Sequence, residues 1–186
     1  VSHKTFQHYQ DRFLKAYHTK VIFDLRPGEK AMDEGRAILE EAKKEGRRAL
    51  LEPEAKRLLA LHGGPACRDR MAATADEAAR IFREFDQPVV LKIVSPDILH
   101  KSDAGGVMIR LKTEKQVRQA FRTIMENARR FNPQANIRGV LVSPMAPGGV
   151  EVIIGTKIDD QFGPIIMYGL GGIMVEVLKD VAFHVL

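Results

Sequence analysis

The sequence predicts an α+β (α/β) fold, and three observations carry that prediction. From Thr74 onward, segments of helical period alternate with short, β-branched apolar runs. Two of the helical segments open on capping-box sequences, "TADE" at 74 to 77 and "TEKQ" at 113 to 116, in which a threonine hydroxyl accepts from the amide three residues on. Proline and glycine punctuate the strand-like runs, with "DQP" before "VVLKIV" and "AGG" before "VMIRLK".

Taken in order, Phe6, Tyr9, Phe13, Leu14 and Tyr17 recur at helical spacing and predict a first helix, which "RPGE" breaks. "EKAMDEGRAILEEAKKEG" predicts a second, with Met32, Ile38, Leu39 and Ala42 on one side and charges on the other. Together they read as an N-terminal helical extension, residues 1–48, suited to docking or packing. "EPEAKRLLALHGG" is a third helix, with Pro53 near its start and Gly63-Gly64 at its end. The helix opened by Thr74 turns Ala78, Ile81, Phe82 and Phe85 inward, and "VVLKIV" follows as a buried strand. After a loop come the strand "VMIRLK", a helix with Val117, Ala120, Phe121, Ile124 and Met125 on its apolar face, and the strand "IRGVLVSPM". Residues 49–145 thus read as one α+β unit. Residues 146–186 begin a second, sheet-based unit with three strand-like runs, "EVIIGTKID", "PIIMYGL" and "IMVEVL", and no helix.

Composition narrows the function classes. A chain of 186 residues that is 45% hydrophobic and 28% charged can bury a core. Cys67 is the only cysteine, which excludes an intramolecular disulfide and a cysteine-rich zinc site and fits a cytoplasmic location. No run approaches the roughly 20 apolar residues of a membrane span. The start "VSHKTFQHYQ" has neither a signal-peptide layout nor an initiator Met, so the chain is expected to be trimmed there. The net charge of +5 favours an acidic partner such as a nucleotide or CoA. Nucleic acid is not expected, because the basic residues of "KKEGRR" and "ARR" are interleaved with acids and lack an aromatic stacking platform.

The stretch that carries chemistry is "HKSDAGGV", residues 100 to 107, where proton carriers and cations stand directly before two glycines. Upstream, Lys92 sits mid-strand among Val90, Leu91, Ile93 and Val94, where an ammonium needs an anionic partner or a route to solvent. If the partner is a nucleotide phosphate, the backbone NH groups of Gly105, Gly106 and Val107 can close over the same phosphates as a nest. The glycines match neither a Walker sequence nor a dinucleotide fingerprint. His100 has three readings on its residue chemistry: an exposed bystander, a metal ligand with Asp97 or Asp103, or a nucleophile that takes a phosphoryl group and passes it on. Lys101, Ser102 and Asp103 supply the cation, hydroxyl and carboxylate that the last role uses.

"PVVLKIVSPDILHKSDAGGV", "GVLVSPMAPGGVEVIIG", "DDQFGPIIMYGLGGIMVEVLKDVAF" and "LLEPEAKRLLALHG" together resemble the β-type, ATP-grasp part of the ADP-forming acyl-CoA synthetases (acetate–CoA ligases), relatives of succinyl-CoA synthetase. The resemblance runs from about Leu50 to Leu186. It implies an ATP-grasp fold, incomplete at the C-terminal end, and the reversible reaction acyl-CoA + ADP + phosphate ⇌ carboxylate + CoA + ATP through phosphohistidine. His100 matches the histidine that carries the phosphoryl group to ADP. Lys92 would hold nucleotide phosphates, and "LVSPM" would be the hinge over which adenine lies. Since Pro144 has no NH, the hinge amide would be that of Met145 and the accepting carbonyl that of Ser143. Glu151 would orient Lys92 or bind ribose. Gly171, Gly172 and Glu176 resemble the family's second glycine-bearing turn, read first as a tight turn and then as a phosphate contact.

The resemblance further implies ATP/ADP and Mg2+, with the magnesium ligands beyond "KDVAF", and a CoA-binding/ligase subunit or fused domain as partner, in a hetero- or homo-oligomer. CoA and the carboxylate would be met only indirectly, and the acyl group would be read by that partner. Two other classes stay in view. One is a synthetase-like regulatory module attached to a protein acetyltransferase. The other is a structural subunit that retains the fold, against which Lys92, His100 and Gly105-Gly106 together argue.

Overall fold

A computed structural model describes residues 28–172 and 181–185. The helix expected around Phe6 to Tyr17, the run "IMVEVL" and Glu176 lie outside the described residues. The chain divides into two compact units, Val1–Met145 and Ala146–Leu186.

The first unit holds α1 (Glu29–Lys44), α2 (Glu52–Leu61), β1 (Arg70–Ala72), α3 (Ala75–Phe85), β2 (Val89–Val94), β3 (Val107–Leu111), α4 (Glu114–Phe131) and β4 (Gly139–Pro144). β1 is only three residues long and gave no sequence signal of its own. The strands form one antiparallel sheet in the order β1-β4-β2-β3. Both threonine caps form, but neither box closes on its cap residue. Thr74 Oγ1 accepts from the Glu77 amide at 3.1 Å, and Thr113 Oγ1 from the Gln116 amide at 3.2 Å. The return bonds skip the cap residue itself and go one position earlier, Glu77 accepting from the Ala73 amide and Gln116 from the Lys112 amide, both at 2.8 Å. These caps fix where α3 and α4 begin, and hence which faces they bury.

Alternation along β2 and β4 gives the sheet two different faces. Val89, Leu91 and Ile93 of β2 and Val140 and Val142 of β4 point into the main core with Ala78 and Ile81 of α3 and Val117, Phe121 and Ile124 of α4. Val90, Lys92 and Val94 point the other way, as do Leu141 and Ser143, which stand opposite Lys92 and Val90 in the ladder. Helix α2 reaches this second face, its Pro53 and Lys56 lining one cavity with Met71 and Leu141. Lys92 is therefore the charged exception in a layer whose neighbours Val90, Val94, Leu141 and Ser143 are all buried.

The second unit is an antiparallel sheet, β5 (Val152–Asp159), β6 (Gly163–Leu170) and β7 (Val181–Val185), in that order. Asp159 Oδ1 accepts from the Gln161 amide at 3.1 Å and shapes the first turn, which closes on Gly163 at φ +73°. The third described strand is "VAFHV", a segment for which no strand was expected. Its β-branched and aromatic content fits a strand, but its position directly behind the charged pair Lys179-Asp180 hid it. Ile154 and Phe183 fall on opposite faces of this sheet and both are exposed. Neither face of the sheet follows the polar-out rule of a one-sided layer.

Candidate functional site

The second face of the first sheet gathers the charges. Glu52, in the first turn of α2, points its carboxylate at three ammonium groups. Lys92 Nζ of β2 donates to Oε1 at 2.6 Å, Lys56 Nζ to the same oxygen at 2.9 Å, and Lys101 Nζ to Oε2 at 2.8 Å. Lys56 is shared with Asp69, whose second oxygen is buried without a partner among the described residues. The anion that Lys92 requires is thus supplied by the protein itself. Burial alone would raise the Glu52 pKa, but hydrogen bonds from Lys101, Lys92 and Lys56 outweigh it and hold the carboxyl down at about 2.

That depression has a pH consequence. A carboxyl whose folded pKa lies near 2, against 4.5 for the free side chain, stabilises the fold above pH 4.5 and loses that contribution as the pH falls toward 2. The midpoint of urea unfolding should therefore drop more steeply between pH 5 and pH 2.5 in the parent protein than in Glu52→Gln. Equal slopes would mean that the cluster adds nothing to stability.

Lys101 brings the next element with it, because it lies in the turn-rich loop from Leu99 to Gly106. The Ala104 amide donates to the His100 carbonyl, the Gly105 amide to the Ser102 carbonyl at 3.0 Å, and the Gly106 amide to the Lys101 carbonyl at 2.7 Å. The loop then returns to β2 through a 2.8 Å bond from the Ile93 amide to the Gly106 carbonyl. His100 and its neighbours Ser102 and Asp103 are exposed at the tip.

Amides of the expected phosphate nest already have partners in this structure. Two of its three amides, those of Gly105 and Gly106, are committed to carbonyls of the loop, so the glycines are explained by packing. Gly105 has φ +59°, and a Cβ there would stand 2.7 Å from Asn127 Nδ2, the group that donates to the Gly105 carbonyl. A Cβ on Gly106 would stand 2.5 Å from Ile93 Cγ2 and 3.0 Å from the Lys101 carbonyl oxygen. Gly106→Ala should cost about 1–3 kcal/mol by overpacking, read by urea unfolding. A neutral result would mean that the loop rearranges freely.

The expected hinge is also partly occupied. The Met145 amide, expected to be free for an adenine ring nitrogen, donates to the Pro88 carbonyl at 2.9 Å and extends the β2–β4 ladder. Ser143 is opposite Val90, and its hydroxyl is buried without a partner among the described residues, on the face that also carries Lys92. Glu151 precedes β5 in the second unit, where its carbonyl accepts from the Gly171 amide at 2.7 Å. Gly172 there has φ +61°, and a Cβ on it would meet the Glu151 carboxylate, so the tight-turn reading of Gly171-Gly172 is the one the geometry supports. Among the described residues no three His, Cys, Asp or Glu side chains come together to hold a metal ion. A cavity of about 590 Å³ borders Asp97 and Leu99, and of its three arginines Arg47 and Arg138 are paired with Glu54 and Glu45 while Arg48 is exposed.

Comparison with known proteins decides the family. The model of the ATP-grasp domain matches residues 41–186. The chain belongs to the ATP-grasp family. It is 53% identical over 150 residues to the β subunit of the ADP-forming acetate–CoA ligase I of Pyrococcus furiosus, a match covering 81% of this chain and 64% of that subunit. Among solved structures it is similar to the dinucleotide-forming acetyl-coenzyme A synthetase 1 of Ca. Korarchaeum cryptofilum in complex with coenzyme A and Ca-AMPCP. The TM-score is 0.77 and the identity 50%, over 81% of this chain and 66% of that one. A second structure of that synthetase holds coenzyme A and Mg-AMPPCP, with its phosphohistidine segment pointing towards the nucleotide binding site. There the TM-score is 0.67 and the identity 46%, over 81% and 63%. This chain thus spans just under two thirds of the length of these relatives.

Within the ATP-grasp unit, sequence reasoning named Lys92 and His100 but missed Glu52, Lys56, Lys101 as an ion-pair partner, and Asp69. The signal was present in "EPEAK", where Glu52 and Lys56 are spaced i,i+4 in the first turns of a helix. Among the described residues no helix is long and apolar enough to cross a membrane.

Proposed function

We propose that this chain is the nucleotide-binding, phosphoryl-transferring part of an ADP-forming acyl-CoA synthetase, acting with a CoA-binding/ligase subunit or domain. The observation that carries the reading is the docking of the His100 loop on the strand of Lys92. Gly106 accepts from Ile93, and Val107 pairs with Lys92, so the proposed nucleophile and phosphate cation belong to one hairpin. Residues 49–145 would be the lid subdomain, 146–186 the start of the C-terminal subdomain, and 1–48 an extension.

In the proposed step, an oxygen of the ADP β-phosphate attacks the phosphorus carried by His100. The P–O bond forms as the N–P bond breaks, its electron pair returns to the imidazole nitrogen, and the ring takes a proton from solvent. Lys92 would neutralise charge on the nucleotide phosphates, and the exposed position of His100 lets the same ring meet a donor supplied by the partner. The Ser143 carbonyl would accept from the adenine amine at the strand end, whereas its buried hydroxyl would have to be uncovered before it could reach the nucleotide. Adenine recognition through the Met145 amide would require that amide to leave Pro88. Lys92 already has its carboxylate in Glu52, which leaves ribose as the role for Glu151. Magnesium has no assigned ligand among the described residues, Glu52 and Asp69 both being held by lysines.

The test is to incubate the intact synthetase with labelled ATP and magnesium and to map the phosphate by mass spectrometry. Acid-labile, base-stable phosphate on His100 is expected. Phosphate on another residue, or none, removes the carrier role and favours a regulatory or structural subunit.

A further inference from the structure

Lys92 and Lys101 come from different segments, a strand interior and the loop docked on it, and the backbone bonds that dock them do not themselves make the two ammonium groups meet. One carboxylate does. Glu52 takes Lys92 on one oxygen and Lys101 on the other, with all three side chains mostly buried. Lys101 immediately follows His100, so the carboxylate also sets where the loop tip stands relative to the strand. Ionised well into acid and carried on the first turn of α2, Glu52 is a fixed point against which both ammonium groups are oriented. The same physical device serves protein kinases, where a strand lysine is held for phosphate by a glutamate on a helix. The lysine beside the phosphoryl carrier adds a second cation to the arrangement.

We propose that Glu52 is a positioning residue for phosphoryl transfer, holding Lys92 and Lys101 together so that the nucleotide's cation and the cation beside His100 face one phosphoryl group. Glu52 touches neither nucleotide nor imidazole in this role, and acts through the two lysines. The inference rests on the synthetase reading above and adds to it a residue, and a helix, that the reading does not need.

The experiment compares the intact synthetase with Glu52→Gln, Lys101→Met and the double variant. For each, the single-turnover rate of phosphoryl transfer from phosphorylated enzyme to ADP is measured beside the ADP dissociation constant and a melting curve. Glu52→Gln should slow transfer at least about tenfold while changing ADP affinity less than about threefold, because the lysine charge remains and only its placement is lost. Lys101→Met, which leaves α2 untouched, should slow transfer comparably, and the double variant should be no slower than the slower single one, the non-additivity of groups acting as a unit. Multiplicative losses in the double variant, or parent-like transfer by Glu52→Gln, would overturn the proposal with the synthetase reading intact. If Glu52→Gln does not fold, Lys101→Met decides alone, since parent-like transfer there removes the second cation from the mechanism. A parent enzyme that takes no phosphate on His100 defeats the synthetase reading itself, and the role of Glu52 with it.

Discussion

Replacing His100 with alanine should abolish acyl-CoA formation by the intact synthetase, with a loss of about a thousandfold or more, while leaving the fold untouched. The size follows from the proposed role. A phosphoryl carrier has no substitute among its neighbours, and removing the nucleophile of a covalent mechanism leaves only the rate supplied by binding. The neutrality toward folding follows from the structure. The His100 side chain is exposed, and its one hydrogen bond in the loop is made by its carbonyl to the Ala104 amide, which alanine retains. Exposed substitutions away from caps and cores move stability by no more than about 0.5 kcal/mol. ADP binding should persist, because Lys92 and its surroundings are unchanged. Residual labelling of His100→Ala at the parent level would place the carrier elsewhere.

The helices and longer strands of the first unit were legible because each carried its own local instruction. Thr74 and Thr113 announced their helices through hydroxyl caps, and "VVLKIV" announced a strand by its β-branched content. β1 was invisible because three residues, Arg70 to Ala72, make no period, and it exists only because β4 offers an edge to pair with. The site divided in the same manner. Lys92 was conspicuous as a charge among apolar residues, and that cost pointed correctly to an anion. Its identity was not legible, since Glu52 lies 40 positions earlier and meets Lys92 only when α2 crosses the second face of the sheet. The glycines were ambiguous for a related reason. A glycine pair before a strand fits an anion nest or a crowded turn equally well, and only the positions of Asn127 and Ile93 separate the two.

Replacing Lys92 with methionine should weaken ADP binding by about 10- to 150-fold and change the melting temperature little. The affinity loss corresponds to roughly 1.5–3 kcal/mol, the worth of a hydrogen bond to a charged group. The stability side is less obvious, because Lys92 is paired in the free protein, and removing one partner of a buried pair ordinarily costs about 3–5 kcal/mol through the charge left behind. Here the charge left behind is not alone. Glu52 keeps Lys56 at 2.9 Å on the oxygen it shared with Lys92, and Lys101 at 2.8 Å on the other. Methionine retains the apolar stem against a layer made by Val90, Val94 and Leu141, so no large cavity opens. The proposed phosphate role of this lysine is thereby separated from its ion pair, since the phosphate contact would have no substitute whereas the contact to Glu52 has two. Calorimetric titration of ADP beside a melting curve distinguishes them. Unchanged affinity with a lowered melting temperature would assign Lys92 to the ion-pair cluster alone, and the nucleotide's cation would then have to be sought at Lys101.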